Sequence, residues 1–361
     1  MTCRTTVPAG PDLADDSAPA RAGLCPQAGG MSPAARAPAW QRGSMNPALE
    51  GFLRTHHFGI TTAEAARIGI NREVLRLLVQ RKILTRVARG VYVQTSALEQ
   101  AAHAADRHVL RARPLLRSRQ ADWAASHLTA TLLWDLPVPE VDLTRLHVCH
   151  AQPVGTSRRR AAYTVHLCPG SERIVVHEGL QVVAPATALV GTAMQVATGP
   201  AVAAIDAGLQ RRQVTRAELE AELDRAARVP QVVAARLAVG RADGRSESPG
   251  ESLLRLILVD LGLTVIPQYP VRDGDVVIAR VDFYLPELGV VLEFDGRLKY
   301  DGHEGRDALV AEKIREDRIR SLGYGVGRLT WGSLRQPVAV SRVVADAARA
   351  ARPHVIVARA S

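Results

Sequence analysis

Three features that would narrow the function of a chain are scarce or missing in this sequence. Its four cysteines form no Cys-x-x-Cys pair, so neither a disulfide framework nor a structural zinc site is expected, and a reducing cytosol fits. No apolar run approaches the roughly 18 residues of a membrane-spanning helix. The N-terminal stretch has neither the charged start nor the apolar segment of a secretory signal. A cytoplasmic protein without a membrane partner is predicted.

Apolar residues and arginine are abundant. Hydrophobic residues make up 47% of the 361 residues, which excludes a disordered or collagenous chain and suggests two or three domains. The 46 basic side chains outnumber the 36 acidic ones, giving a net charge of +10 that favours an anionic partner. Only Lys82, Lys299 and Lys313 are lysines. The arginine bias is typical of a GC-rich bacterial genome.

Composition and periodicity divide the chain into segments and predict a multidomain α/β protein. Residues 1–45 are rich in Pro, Gly, Ala and Ser without an apolar period, so they are predicted to be disordered. The remaining segments are a winged helix-turn-helix at 46–94, a middle α/β domain at 95–240, a linker at 241–247, a second α/β module at 248–340 and a C-terminal tail or helix at 341–361.

The winged helix-turn-helix is predicted from local signals. Apolar residues at helical spacing indicate a first helix, Thr61 and Glu64 form a capping box that starts a second, and Asn71 caps a third. Residues 83–87 and 90–93 have the character of two short strands. Three helices followed by a hairpin are the order of a winged helix.

The charge of this segment agrees with DNA binding. Residues 46–93 hold eight basic and three acidic side chains, a net charge of +5. A recognition helix directs such side chains to phosphates and base edges in the major groove. A solvated basic face on a protein-interaction module is the alternative. The predicted DNA-binding residues are the arginines of the third helix and the wing: Arg72, Arg76, Arg81, Arg86 and Arg89.

The middle segment carries weaker signals. Helices are predicted over 101–113 and 122–134, with strands over 145–148, 163–166 and 179–183. No two of its histidines have the spacing of a metal-binding helix with a carboxylate, so they are predicted to be structural or surface residues. These are His103, His108, His127, His147, His150, His166 and His177.

Two stretches resemble AbiEi-type antitoxins of type IV toxin–antitoxin systems. They are the helix–helix–wing pattern ending Arg-Gly-Val-Tyr at 89–92 and the Ala-Ser-His-Leu-Thr-Ala stretch at 125–130. The resemblance implies a winged-helix repressor that binds its own promoter DNA, with a cognate toxin as a further partner.

Carboxylates stand inside two predicted strands of the last module. Asp282 is flanked by apolar residues, and Glu293 and Asp295 are two apart on the next strand, so both face the same side. Burying such charges is costly without a partner. Neighbouring strands would bring the three carboxylates together as oxygen ligands suited to Mg²⁺ or Mn²⁺, and such a metal can activate water for phosphodiester hydrolysis.

The same module resembles the restriction-endonuclease-like superfamily, and more closely its Vsr-like branch. The residues that carry the resemblance are Glu251, Gln268, Asp282-Phe283, Glu293-Phe294-Asp295-Gly296, Glu312-Lys313-Ile314-Arg315, Gly323 and Arg328. The resemblance implies Glu251, Asp282, Glu293 and Asp295 as metal ligands. One departure is that Asp295 replaces the lysine of the superfamily's usual Glu-x-Lys.

Basic residues near the cluster have candidate roles. Lys299 or Lys313 is a candidate for orienting the attacking water or stabilising the charge that develops on phosphorus. Arg315 and Arg328 are candidate phosphate contacts. The alternative for the arginines is pairing with helix acids such as Glu312.

Two functions from different classes follow. The first is a bacterial DNA-binding protein with a Mg²⁺-dependent endonuclease module. The second is a non-catalytic antitoxin-type autorepressor of a toxin–antitoxin or phage-defence operon, in which Asp282 and Glu293 are remnants. DNA is the predicted partner in both, and a palindromic operator would imply a homodimer.

Overall fold

A computed structural model describes residues 46–153, 155–296 and 306–352, with the side chains of 306–310 excepted. The predicted disordered segment, residues 1–45, and Lys299 lie outside these ranges. Within them the chain forms fourteen helices and thirteen strands in three sheets, a mixed α/β architecture of the predicted class. None of these helices has both the length and the apolar character needed to cross a membrane.

The first module alternates short helices and strands: α1 (Pro47–Thr55), β1 (Gly59–Thr61), α2 (Thr62–Arg67), α3 (Arg72–Gln80), β2 (Leu84–Ala88) and β3 (Val91–Gln94). The strands form an antiparallel sheet in the order β1–β3–β2. Both hydrogen bonds of the Thr61–Glu64 capping box are present, and the Asn71 side chain accepts from the Val74 N–H, so both predicted helix starts are confirmed. Strand β1 escapes prediction because three residues carry too short an alternating pattern.

The middle segment forms a six-stranded sheet with helices packed against it. Its elements are α4 (Thr95–Gln100), α5 (Ala104–Arg117), β4 (Trp123–Ala125), α6 (His127–Leu133), β5 (Leu146–His150), β6 (Arg158–Arg159), β7 (Tyr163–His166), β8 (Ile174–His177), β9 (Leu180–Val183), α7 (Pro185–Ala193), α8 (Thr198–Gln210), α9 (Arg216–Arg225) and α10 (Val232–Arg241). The strand order is β6–β7–β5–β4–β9–β8, in which β5 with β7 and β4 with β9 are the parallel pairs.

The single helix predicted over 122–134 is wrong in its first half. Ala124 and Ala125 are fully buried in strand β4, which pairs with β5 and β9. The helix α6 begins only after Ser126, whose backbone is extended. Tertiary pairing thus overrides the helical propensity of an alanine-rich stretch. The stretch between the strands predicted over 145–148 and 163–166 also contains the short edge strand β6.

The last module has the predicted order of helix, three strands, helix and strand. Its elements are α11 (Pro249–Asp260), β10 (Ile266–Asp273), β11 (Val276–Leu285), β12 (Val290–Asp295), α12 (Arg306–Ser321), β13 (Gly325–Thr330), α13 (Trp331–Leu334) and α14 (Pro337–Ala350). The sheet order is β10–β11–β12–β13, with only the β12–β13 pair parallel. Helix α14 continues past the predicted boundary at residue 340 because Val340, Val344 and Ala347 pack into the core of this sheet.

The modules share buried contacts. Val91 of the winged helix lies in one core with Leu115 of α5 and the middle sheet. The last module is joined to the middle domain by a buried ion pair, in which Arg255 of α11 lies 2.9 Å from Asp206 of α8. The predicted linker is held between them, since the Asp243 N–H donates to the Asp206 carboxylate over 2.6 Å.

Candidate functional site

Helix α3 presents one buried and one exposed face. Leu75 and Leu78 are buried, and the Asn71 cap fixes where the helix begins. Arg72 and Arg76 are one turn apart and exposed. Arg76 lies 3.7 Å from Glu73, and both side chains are about 70% exposed, so this ion pair contributes little and a phosphate can replace it.

The β2–β3 hairpin is the wing. Gly90 at its turn has a φ of 75°, a left-handed backbone conformation that glycine adopts without strain. The Thr62 N–H donates to the Gly90 carbonyl over 2.9 Å, which holds the turn against the start of α2. Arg86 and Arg89 are exposed on this hairpin.

All five arginines of the third helix and the wing that were predicted to bind DNA are exposed, including Arg81 just after the end of α3. The third helix and the wing therefore carry basic side chains on the solvent side of a small buried core. Exposed guanidinium groups on a packed scaffold suit the recognition of phosphate oxygens.

A second candidate site lies where α11 meets the last sheet. Ser248 caps α11 by accepting from the Glu251 N–H. A Cβ at Gly250 would come within 1.9 Å of the Phe294 ring, so only glycine allows the helix to approach β12 this closely. Glu251 is consequently buried at the edge of the sheet.

Gln268 and Glu247 hold the Glu251 carboxylate. Glu251 Oε2 accepts from the Glu247 N–H over 2.9 Å and from Gln268 Nε2 over 3.0 Å. Gln268 has a φ of 53° within strand β10, a strained conformation for a residue with a side chain. Glu247, which the sequence places in a linker, also makes a two-pronged ion pair with Arg280, each contact 2.8 Å long.

Asp282 lies beside this carboxylate. Its Oδ2 accepts from the Phe294 N–H over 2.7 Å, which joins β11 to β12. Burial raises the pKa of Asp282 to about 6, and repulsion from Glu251 and Glu293 adds to the effect. Three of the carboxylates singled out in the sequence are therefore close enough to repel one another.

Glu293 is engaged by arginines. Its Oε1 is 3.0 Å from Arg315 of α12, and its Oε2 is 3.5 Å from Arg328 of β13. Arg328 also lies 3.3 Å from Glu316. The two arginines predicted to contact phosphate thus pair with carboxylates, but all of these ion pairs join different elements, whereas the alternative expected pairing along one helix.

These carboxylates do not form a ready cation site. Among the described residues no group of three or more His, Cys, Asp or Glu side chains is arranged to hold a metal ion. The contacts explain this result, because Glu293 forms ion pairs with guanidinium groups and Glu251 accepts hydrogen bonds from two donors. Asp295 follows Glu293 on β12 at the register of Thr330, and Lys313 is exposed on α12.

Comparison with known proteins bears on the first site. Residues 49–93 match the family described as transcriptional regulator, AbiEi antitoxin. This span runs from inside α1 to the end of the wing, so it contains all five exposed arginines. In this span the chain is therefore similar to an antitoxin-type transcriptional regulator.

Two curated relatives are similar to a longer part of the chain. The uncharacterized proteins MT2308 and Rv2248, from two strains of Mycobacterium tuberculosis, are each 32% identical to it over 144 residues. The match spans 40% of this chain and about half, 52%, of each relative.

Proposed function

We propose that the chain is a DNA-binding transcriptional regulator of the antitoxin type. In this proposal α3 enters the major groove and the wing lies against the neighbouring backbone. The observation that carries it is the set of exposed arginines on α3 and the β2–β3 hairpin, above a core that fixes both elements. The family match over residues 49–93 supports it.

The test is DNA binding by paired variants. Fluorescence anisotropy is measured with labelled DNA from upstream of the protein's own gene, for wild type and for the Arg72→Ala/Arg76→Ala double variant. We expect the double variant to bind at least about tenfold more weakly. The slope of the logarithm of the binding constant against the logarithm of the salt concentration should be smaller in magnitude by about one to two.

The matched control is Arg349→Ala, which removes an exposed arginine from α14 that pairs only locally with Asp346. It lowers the net charge by one, against two for the double variant, so it reports the effect of removing one positive charge outside α3. Equal affinity of wild type and the double variant would refute DNA binding through α3.

Autorepression and a toxin partner are the finer parts of the proposal. An antitoxin-type repressor acts on its own operon, so deletion of the gene should raise expression from that promoter. If the bound operator is palindromic, two copies of the chain bind it with half-sites about one helical turn apart. Sedimentation of the protein–DNA complex then gives two protomers for each operator.

Metal-dependent phosphodiester hydrolysis by the last module is a second candidate. The observation in its favour is a part-buried Asp282 whose pKa is raised, chiefly by burial and further by repulsion from Glu251 and Glu293. Lys299 and Lys313 are the candidate lysines, and Asp295 a further candidate ligand. A bound cation would relieve the repulsion among the carboxylates, and Glu293 would have to leave Arg315 and Arg328 to take part.

Nicking of supercoiled plasmid in Mg²⁺, Mn²⁺ or EDTA tests this candidate, with Asp282→Ala and Glu293→Ala as variants. The control is Asp260→Ala, because Asp260 is exposed at the far end of α11. If the last module hydrolyses DNA, nicking depends on the metal, is lost in both variants and is kept in the control. Intact plasmid with wild type, under conditions where it binds DNA, rejects the activity.

A further inference from the structure

A small cavity lies inside the middle domain, between its sheet and helices α7 and α9. Its volume is about 210 Å³, and most of its wall is apolar, including Val190 and Met194. Cavities of about 150 Å³ with apolar walls hold benzene, so this one has room for a single ring and a small polar group. His127 lines both the cavity and a wider cleft next to it that opens to solvent.

The His127 ring is held in a fixed position. It stacks on the ring of His166 with 3.8 Å between centroids. A Cβ at Gly191 would lie 3.1 Å from His127 Cδ2, so α7 can approach the ring because residue 191 is glycine. The His127 backbone has a φ of 47°, an uncommon conformation that tertiary contacts must maintain.

The three clustered histidines are uncharged at neutral pH. Burial lowers the pKa of His147 to about 3 and that of His166 to about 4, and it lowers the pKa of His127 as well. His147 Nδ1 and His166 Nε2 are 3.0 Å apart and share a hydrogen bond. His127 Nδ1, by contrast, is buried without a hydrogen-bond partner.

Three other buried polar atoms around the same cavity make no hydrogen bond: Ser126 Oγ, Thr187 Oγ1 and Arg173 Nε, the last of which still forms an ion pair with Glu222. Buried polar atoms are nearly always paired in folded proteins, so this group at one cavity favours a polar ligand there. Nothing in the local backbone explains their grouping, since they come from a turn before β8, from α7 and from the start of α6.

Charge indicates the sign of the ligand. Arg173 Nε is 3.3 Å from Glu222 Oε1, and Arg225 donates to the same oxygen over 2.6 Å. Glu222 is buried, so two guanidinium groups surround one carboxylate at the cavity wall. The exposed Glu172 also lies 3.4 Å from Arg173, but it is not among the residues that line the cavity. The lining therefore carries an excess of one positive charge.

We propose that this cavity binds a small aromatic monocarboxylate. The carboxylate lies at Arg173, and the ring lies among the apolar side chains of α7. Thr187 and His127 supply hydrogen bonds to the polar end of the ligand, since a neutral imidazole and a hydroxyl can each donate or accept. This binding site is separate from the DNA-binding surface and does not depend on it.

Calorimetric titration with benzoate tests the proposal, with benzamide as the uncharged compound of the same shape. We expect wild type to bind benzoate at least about tenfold more tightly than benzamide. Arg173→Gln should abolish the preference for benzoate. Thr187→Val, which keeps the shape and removes the unpaired hydroxyl, should weaken benzoate binding about threefold to tenfold.

The control is Arg349→Gln on α14, which should bind benzoate like wild type. Thermal unfolding of each variant shows whether it is folded, and if Arg173→Gln fails to fold, Thr187→Val and the benzamide comparison still decide. Absence of benzoate binding to folded wild-type protein at millimolar concentration overturns the proposal. So does benzoate binding that is unaffected in Thr187→Val and no tighter than that of benzamide.

Discussion

Nε of Arg117 lies 2.8 Å from Oε1 of Glu64, and these side chains are only 16% and 13% exposed. The other oxygen of Glu64 accepts from the Thr61 N–H in the capping box of α2, also over 2.8 Å. Arg117 Nη2 in turn donates to the Gly59 carbonyl of β1. The Glu64 carboxylate therefore takes part in the capping box of α2 and also connects the winged-helix module to α5 of the middle domain.

Breaking this contact should destabilise the attachment of the winged helix. Arg117→Met removes the charge and two hydrogen bonds while keeping the length of the side chain, and it leaves Glu64 half-buried without its cation. We expect a loss of about 1–3 kcal/mol in the free energy of unfolding. Urea denaturation of wild type, Arg117→Met, Glu64→Gln and the double variant gives the coupling energy. A coupling below about 0.3 kcal/mol would show that the contact is unimportant.

The Asp206–Arg255 ion pair should matter more, because it is buried. Its side chains are 1% and 9% exposed, and it joins α8 to α11. Arg255→Met leaves a buried carboxylate without its partner, so we expect a loss of about 3–5 kcal/mol. Adding Asp206→Asn removes the charge and should recover part of the loss. Thermal unfolding of the single and double variants measures both effects, and a double variant no more stable than Arg255→Met would contradict the account.

Gly250 should tolerate no side chain. A Cβ there would overlap the Phe294 ring at 1.9 Å, so Gly250→Ala must displace α11 or the ring, at a cost of about 1–3 kcal/mol. Gly240 is the matched control, since it lies in helix α10 with no atom within 4 Å of the position of a Cβ. Gly240→Ala should be neutral or stabilising by up to about 1 kcal/mol. Similar melting temperatures for the two variants would argue against the close approach.

Asp282 should make stability depend on pH. Its pKa is raised from 3.8 to about 6 in the folded protein, so the folded state keeps a proton that the unfolded state has released. Stability therefore falls as the pH rises from about 4 to about 6, and it stays lower above that range.

Asp282→Asn should flatten this dependence. It removes the charge but still offers an oxygen to the Phe294 N–H, and we expect it to stabilise the protein by about 1 kcal/mol near pH 7.5. This figure allows for partial solvent screening of the carboxyl group. The measurement is urea denaturation of both proteins between about pH 4 and pH 8. An Asn variant less stable than wild type throughout would contradict the raised pKa.

Local signals predicted the winged helix because its hydrogen bonds are local. The capping box of Thr61 with Glu64 and the Asn71 cap each join residues three apart, so a single sequence contains the whole interaction. The strand positions of the carboxylates in the last module were also predicted, since acids within β11 and β12 are an unusual pattern. Their role as a site stays a prediction.

Non-local contacts could not be predicted in the same way. The pairing of Trp123–Ala125 with two distant strands turned a predicted helix into β4. Arg328 reaches Glu293 from the parallel neighbour strand, so the network is visible only after β12 and β13 are aligned. The stacked rings of His127, His147 and His166 come from a helix and two strands. Their spacing along the chain does not predict that they meet.

The central claim is that α3, rather than the last module, contacts DNA. A photo-crosslinking residue, p-benzoylphenylalanine, is placed at position 76 or at position 318, and each protein is irradiated with promoter DNA at the same occupancy. Arg318 is exposed on α12 and pairs with Asp273, so it is a fair comparison. The account predicts crosslinks to DNA from position 76 and few or none from position 318. Crosslinks from position 318 without any from position 76 would contradict it.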